Sequence, residues 1–364
     1  LNAAAYHLSR ALWNRWNRRP DEYAAWKADA LGAVAEFKRS RDYAPDALVT
    51  FSQPAIDHLV GLELKKLFRV PWIAHFSDPW VDNPFHATDR ATRAFNLAAE
   101  REVAAAADRL VFTSEETVDL VMSKYPPAWR AKARVLPQCY DPQLYPARET
   151  DEDAKQKNGG PKGGGGLKLV VRHVGNFYGA RTPAPLIGAL AALRESDESA
   201  LGDVAFELIG VTDDSIVAKA GGESLPPGLV RASPPVGYRE SLRLMADADG
   251  LLVIDAPADV SVFLPSKLID YVGAGRPVFG FSPRGAAASL IARLGGWTVD
   301  PADARGGSDA LKTFLAYLRS RRTDASVWGE PAVRREYEAT HLAGKFEGIV
   351  RELVSCGDEA NDEV

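Results

Sequence analysis

Short apolar runs separated by stretches of helical spacing recur along the whole chain. In the first half, "DALVTF" (46–51), "VPWIAHF" (70–76), "DRLVFTS" (108–114) and "ARVLPQ" (133–138) read as strands. Between them, "AIDHLVGLELKKLF" (55–68) carries Ile56, Leu59, Val60 and Leu64 at helical spacing, and 91–107 and 115–125 read as further helices. In the second half the expected strands are 167–175, 204–211, 250–255, 276–281 and 297–300, with helices over 183–194, 238–247, 265–273 and 285–294. Strands that are apolar throughout, rather than at alternate positions, are covered on both faces, which is the condition of a parallel sheet between helices. The expected fold class is α/β, with two Rossmann-like, doubly wound parallel-sheet lobes facing a cleft, where the carboxyl ends of the strands offer the default ligand site.

The boundary between the halves is "ARETDEDAKQKNGGPKGGGGLK" (147–168), where a charged run gives way to glycines. The expected division is an N-terminal lobe over 1–146, a linker over 147–166, a C-terminal lobe over 167–330 and a helical segment over 331–364 able to pack on either lobe. Composition narrows the function classes. A formal charge of −5 over 364 residues gives no reason to expect a nucleic-acid partner. Two cysteines, Cys139 and Cys356, lie far apart without metal-ligand spacing, so neither a disulfide framework nor a zinc site is expected. No run approaches the ~18–20 apolar residues of a membrane span, and a cytoplasmic protein is expected, peripheral at most on the inner face of a membrane. The peripheral contact would come from "YHLSRALWNRWNRR" (6–19), where Leu8, Leu12, Trp13 and Trp16 share one side of a helix and Arg10, Arg15 and Arg18 the other. The chain begins with Leu1 rather than methionine, and a trimmed start is expected.

The densest chemistry is in "SVFLPSKLIDYVGAGRPVFGF" (261–281). Pro265 suits a first helical turn, where its missing N–H would be unpaired anyway. The free N–H groups and dipole of that turn, the Ser266 hydroxyl and the Lys267 charge together fit a phosphate or diphosphate. Asp270 lies one turn further in on the same side, where a carboxylate can accept from two ribose hydroxyls. The plain structural reading, an ordinary helix start with a solvated lysine, accounts for the same residues. No GxGxxG follows a strand, so a Rossmann oxidoreductase is disfavoured.

The order of several stretches decides between these readings. "SQPAIDHLVGLELKKLFRVPWIAHFSDPW" (52–80), "DRLVFTSEETVDLVMSKYP" (108–126), "VLPQCYD" (135–141), "HVGNFYGARTP" (173–183), "VGYRESLRLMADADGLLVID" (236–255) and "FLPSKLIDYVGAGRPV" (263–278) together resemble the GT4-like glycosyltransferases of the GT-B fold. The resemblance implies transfer of a sugar from a nucleotide-diphosphate-sugar donor to a glycan or lipid-linked acceptor in polysaccharide biosynthesis, with retention at the anomeric carbon. It implies that Asp270 contacts ribose and Lys267 the diphosphate, with Leu264, Pro265 and Ser266 beside the donor, Gly175 and Asn176 close to the phosphates, and Arg181 neutralising the leaving group. The acid that usually holds the donor sugar falls on Val262, and Asp255 or Asp259 is a substitute. In "AHFSDPW", His75 and Asp78 are the residues implied to orient the acceptor or donor sugar, with Ser77 in place of the usual arginine. Ser114 reads as a helix N-cap and Cys139 as a packed thiol. No DxD-type metal motif stands out, so no metal or other cofactor is expected, Lys267 and Arg181 serving instead. The alternative is a degenerate GT-B protein that binds nucleotide-sugar or a partner without turnover.

Overall fold

The structure, a computed structural model, describes residues 24–41, 43–85, 88–146, 168–211, 213, 215–324 and 326–361. The amphipathic stretch 6–19 and most of the linker lie outside these residues. No described helix is long and apolar enough to cross a membrane. The chain forms two compact units, Leu1–Pro137 with Ala343–Val364, and Gln138–Leu342. This division differs from the expected 1–146, 167–330 and 331–364. Residues from Gln138 onward join the second unit because Tyr140 exchanges backbone hydrogen bonds with Tyr337 and Ala339 there, at 3.0 and 2.9 Å.

In the first unit β1 (Leu48–Ser52), β2 (Trp72–Phe76), β3 (Arg109–Phe112) and β4 (Ala133–Val135) pair in parallel and in sequence order. Right-handed crossovers between consecutive neighbours carry their helices to a single face. Accordingly Leu62, Val103, Val118 and Val121, from the helices Ile56–Phe68, Arg90–Ala106 and Glu115–Met122, share one core with Trp72, Phe76 and Phe112. The opposite face must be covered from elsewhere in the sequence. The C-terminal helix Ala339–Asn361 does this, laying Ile349 and Leu353 on Ile73 and Val111, while its Glu352 pairs with Arg109 and Arg134. The expected segment 331–364 is thus divided: Val333 and Tyr337 pack in the core of the second unit, and the chain from Ala343 onward packs on the first.

In the second unit β5 (Leu169–Val174), β6 (Val204–Ile209), β7 (Val230–Ser233), β8 (Gly250–Ile254), β9 (Val278–Phe281) and β10 (Trp297–Val299) form one parallel sheet in the order β10-β9-β8-β5-β6-β7. The order reverses between β5 and β8, so helices lie on both faces. Ala184–Asp197 and Ala304–Ser320 cover one face through Leu186, Leu190, Leu311 and Phe314. Tyr238–Ala246, Ser266–Ala274 and Ala286–Arg293 cover the other through Leu242, Leu268, Tyr271 and Leu290. Two of these elements go beyond the sequence reading. β7 is a four-residue edge strand with no apolar run. Ala304–Ser320 opens on Gly306 and Gly307 but carries Leu311, Phe314, Leu315 and Leu318 at helical spacing.

Phe314 is fully buried, with ring centroids 5.4 Å from Phe279 and 5.3 Å from Trp297. It sits where β8 has only glycine, since a Cβ on Gly250 would fall 2.7 Å from its ring. Phe314→Ala is expected to cost about 3–5 kcal/mol through lost transfer energy and a residual cavity. Urea unfolding measures this, and an unchanged midpoint would contradict the packing described.

Candidate functional site

The site of the second unit is built where two neighbouring strands end. β5 and β6 each run into a glycine of positive φ, Gly175 at 140° and Gly210 at 104°. A Cβ on Gly210 would stand 2.9 Å from the Gly175 carbonyl carbon, and one on Gly175 2.8 Å from Lys267 Nζ. The two turns therefore lie against each other, and a lysine lies against the first, only because neither carries a side chain. Above them is a cavity of about 360 Å³ lined by Gly175, Asn176, Gly210, Val236, Tyr238, Ser266, Lys267 and Asp270 among others. It stands at the carboxyl ends of the strands beside the reversal in strand order, the place where open α/β sheets take ligands.

The helix Ser266–Ala274 brings three of those residues. Pro265 is its N-cap, with φ −62° and ψ 133°, not its first helical residue as the sequence suggested, because its ψ is still extended. No side chain caps the helix. Leu268 N–H turns back to the Pro265 carbonyl at 2.9 Å, and the Ser266 and Lys267 N–H groups with the positive end of the dipole are left for an anion. Gly275, at φ 62°, closes the other end in the left-handed conformation. The spacing of Ser266, Lys267 and Asp270 puts all three on the cavity wall, as expected.

The charges there are held in conditions that disfavour them. Burial, and then the Arg181 charge, lower the Lys267 pKa to about 8, with Asp255 opposing. Its Nζ is 3.2 Å from His173 Nε2. Asp270 accepts a hydrogen bond from the Tyr238 hydroxyl at 3.1 Å, while its backbone carbonyl accepts from Tyr145 at 3.0 Å. Burial nonetheless raises the Asp270 pKa to about 6. At neutral pH an ammonium and a carboxylate share the cavity wall, one turn of helix apart.

Other expected residues are placed differently. Arg181 is buried and pairs with Asp255 at 3.2 Å, its guanidinium 5.0 Å from the centre of the Tyr178 ring and in contact with that hydroxyl. It reaches Lys267 electrostatically but does not line the cavity. Asp255 is 3% exposed and also accepts from Ser282 at 2.9 Å, so it is spent in this pair and unsuited to holding a sugar. Asp259 is exposed. Leu264 packs in the core with Leu268 and Ile269, and neither it nor Pro265 lines the cavity. Among the described residues no group of three or more His, Cys, Asp or Glu is arranged to hold a metal.

In the first unit, His75 is the half-buried penultimate residue of β2 and Asp78 follows in the next loop. Burial lowers the His75 pKa, which keeps the ring neutral at pH 7. The loop is fixed from below by Glu100, which is fully buried. Glu100 accepts from the Val81 N–H at 3.1 Å, from Lys124 at 2.6 Å and from the Tyr125 hydroxyl at 2.6 Å. Arg93 adds a bond to the Val81 carbonyl at 3.0 Å. Ser114 caps its helix as read from the sequence, accepting from the Thr117 N–H at 3.1 Å. Cys139 is an exposed free thiol, not a packed one, while Tyr140 beside it takes the buried position.

Sequence reasoning passed over His173, Gly210, Tyr145 and Tyr238. A signal existed for two of them. "HVG" and "LIG" end adjacent strands in the same way, and Tyr238 opens a helix directly after "PVG". Tyr145 is brought in from the connection between the halves, which no local pattern announces.

Residues 4–139 match the family model described as the glycosyl transferase 4-like domain. No curated protein matches the chain. Solved structures do. HepE from Anabaena, in complex with UDP and glucose, superposes with a TM-score of 0.67 at 16% identity, covering 91% of this chain and 83% of that one. Sucrose-phosphate synthase from Thermosynechococcus elongatus gives 0.66 at 18% identity, covering 90% and 77%. The α,α-trehalose 6-phosphate synthase of Burkholderia multivorans gives 0.64 at 14% identity, covering 96% and 80%. These likenesses show the fold, which is that of the GT-B glycosyltransferases.

One prediction tests the Asp270 assignment. Its pKa of about 6 in the folded chain lies above the unfolded value of ~3.9. Proton binding therefore favours the folded state: the stabilisation is complete below the unfolded value and is lost as pH rises through about 6. Asp270→Asn is expected to raise stability at pH 7 by about 1–2 kcal/mol, discounted for partial exposure, and to leave it unchanged near pH 4. The same variant is expected to weaken nucleoside diphosphate binding, measured by calorimetry. A variant that loses stability and binds normally would make Asp270 a structural residue.

Proposed function

Taking the GT-B fold as the premise, we propose that the chain is a glycosyltransferase that moves a sugar from a nucleotide-diphosphate-sugar to a glycan or lipid-linked acceptor. One observation carries the reading. Uncapped first-turn N–H groups, the Lys267 ammonium and the Asp270 carboxylate line a single cavity at the reversal point of the sheet. A diphosphate needs the first two, a ribose the third. As the bond between the anomeric carbon and the β-phosphate oxygen breaks, negative charge gathers on the leaving diphosphate, and fixed donors aimed at that charge lower the barrier. Lys267 supplies a full charge and Arg181 an electrostatic contribution behind it. With these cations in place the transfer is read as independent of a metal ion, and as retaining by likeness to the GT4-like enzymes. His75, neutral and half-buried, and Asp78 are read as orienting the acceptor hydroxyl or the donor sugar. That HepE holds UDP and glucose supports uridine nucleotides as the first donors to test.

A second reading, binding without turnover, is favoured by Val262 at the expected sugar-binding acid and by the engagement of Arg181 with Asp255. Incubation with a panel of UDP-, GDP- and dTDP-sugars separates the two: release of nucleoside diphosphate is expected of the transferase, and a thermal shift without release of the binder. Lys267→Ala is expected to lower release about 100-fold or more, the loss typical of one transition-state donor, while the thermal midpoint holds. Normal release by this variant would contradict the proposal.

A further inference from the structure

The imidazole of His173, the penultimate residue of β5, is fully buried, and the function described above leaves it unused. The parallel register pairs Arg172 with Leu251 of β8, which brings the next residue beside the Leu252 carbonyl. His173 Nδ1 is 3.0 Å from that oxygen. A carbonyl only accepts, so Nδ1 carries the hydrogen. Burial, and then the Lys267 charge, push the His173 pKa well below its ordinary range against the backbone bonds to Leu252 and Gly175, so the ring is neutral, and with the hydrogen on Nδ1 the lone pair is on Nε2. Lys267 Nζ stands 3.2 Å from that lone pair, and among the described residues this is the hydrogen bond it makes. The ring itself cannot turn away: it stacks on Phe177 with centroids 4.6 Å apart and planes 15° apart. On its far side, Gly175 leaves the space that the ammonium occupies.

We propose that His173 is a positioning residue, a neutral acceptor of fixed tautomer that holds the Lys267 ammonium at the seat of the diphosphate. The part concerning the diphosphate rests on the function proposed above; the anchoring of the lysine does not. The other charged and titratable groups around Lys267 are Arg181 from the loop after β5, Asp255 at the end of β8, and Asp270 and Tyr271 on its own helix. Arg181 and Asp255 pair with one another, which leaves His173 to fix the direction of the ammonium. Of its three N–H groups, one is committed to Nε2 and two remain for a ligand.

Two substitutions separate positioning from packing. His173→Phe keeps the flat ring and removes the acceptor, and the Leu252 carbonyl still accepts from the Tyr271 hydroxyl at 3.1 Å. His173→Gln keeps an acceptor for Lys267. With lysine ε-carbons labelled, NMR titration of the ligand-free protein is expected to show Lys267 deprotonating near pH 8 in the wild type. In His173→Phe the midpoint is expected to fall by roughly one pH unit, because an acceptor that favours the ammonium is gone, and His173→Gln is expected to recover most of it. Affinity for inorganic pyrophosphate is expected to fall roughly ten-fold in His173→Phe, the scale of one hydrogen bond to a charged group. A folded His173→Phe protein with unmoved lysine titration and wild-type pyrophosphate affinity overturns the proposal. Should that variant fail to fold, nitrogen-15 histidine spectra of the wild type decide: Nδ1–H with bare Nε2 is expected across the titration, and an Nε2–H tautomer or imidazolium overturns it. A wild type that shows the lysine anchor yet binds neither pyrophosphate nor UDP would retire the proposed function and leave the anchor standing.

Discussion

One positive charge placed against bare backbone organises the second unit. Lys267 can lie where it does because Gly175 has no Cβ, and Gly175 can turn there because Gly210 in the neighbouring strand has none either. Both glycines sit at strand ends that the parallel register sets side by side, Val174 opposite Ile209. The sheet order then brings the helix Ser266–Ala274 over those ends with its first turn uncapped. Fold and site are therefore not separable here. A side chain at either glycine would displace the lysine, and a capping side chain would take up the N–H groups meant for an anion.

The cavity wall holds two charges in surroundings that disfavour them. Lys267 has its pKa lowered and Asp270 has its pKa raised, both chiefly by burial, so each charged form is less stable than it would be in water. Groups perturbed in this way by desolvation mark sites kept for function at the expense of stability. A ligand with a negative diphosphate and a donor-rich sugar relieves both at once. The rest of the local chemistry keeps those groups in place: His173 under the lysine, Tyr238 and Tyr145 around the aspartate, and the Arg181–Asp255 pair behind.

Much of this was legible in the sequence, for identifiable reasons. Continuous apolar runs such as "GLLVID" betray strands buried on both faces, and the parallel sheets follow. The Ser-Lys-x-x-Asp spacing is enough to put three residues on one helical side, and all three line the cavity. What was not legible depends on long-range neighbours. Asp255 looks like a free acid in the sequence and is consumed by Arg181, which lies 74 positions earlier (255 − 181). His173 reads as one more residue of a strand, and only the Leu252 carbonyl and Lys267 give its two nitrogens distinct roles. The amphipathic C-terminal helix announces an apolar stripe but not the sheet face that needs it. β7 escaped because its alternation, Val230 and Ala232 inward against exposed Arg231 and Ser233, spans only four residues and contains no apolar run.

The central claim is that the amino end of the helix beginning at Ser266 seats a diphosphate, and a crystal structure of the chain grown with UDP tests it most directly. The diphosphate oxygens are expected within about 3 Å of Lys267 Nζ and the first-turn N–H groups, with the ribose hydroxyls on the Asp270 carboxylate. Nucleotide bound elsewhere on the chain, with the cavity beneath Asn176 and Tyr238 still open, would contradict it.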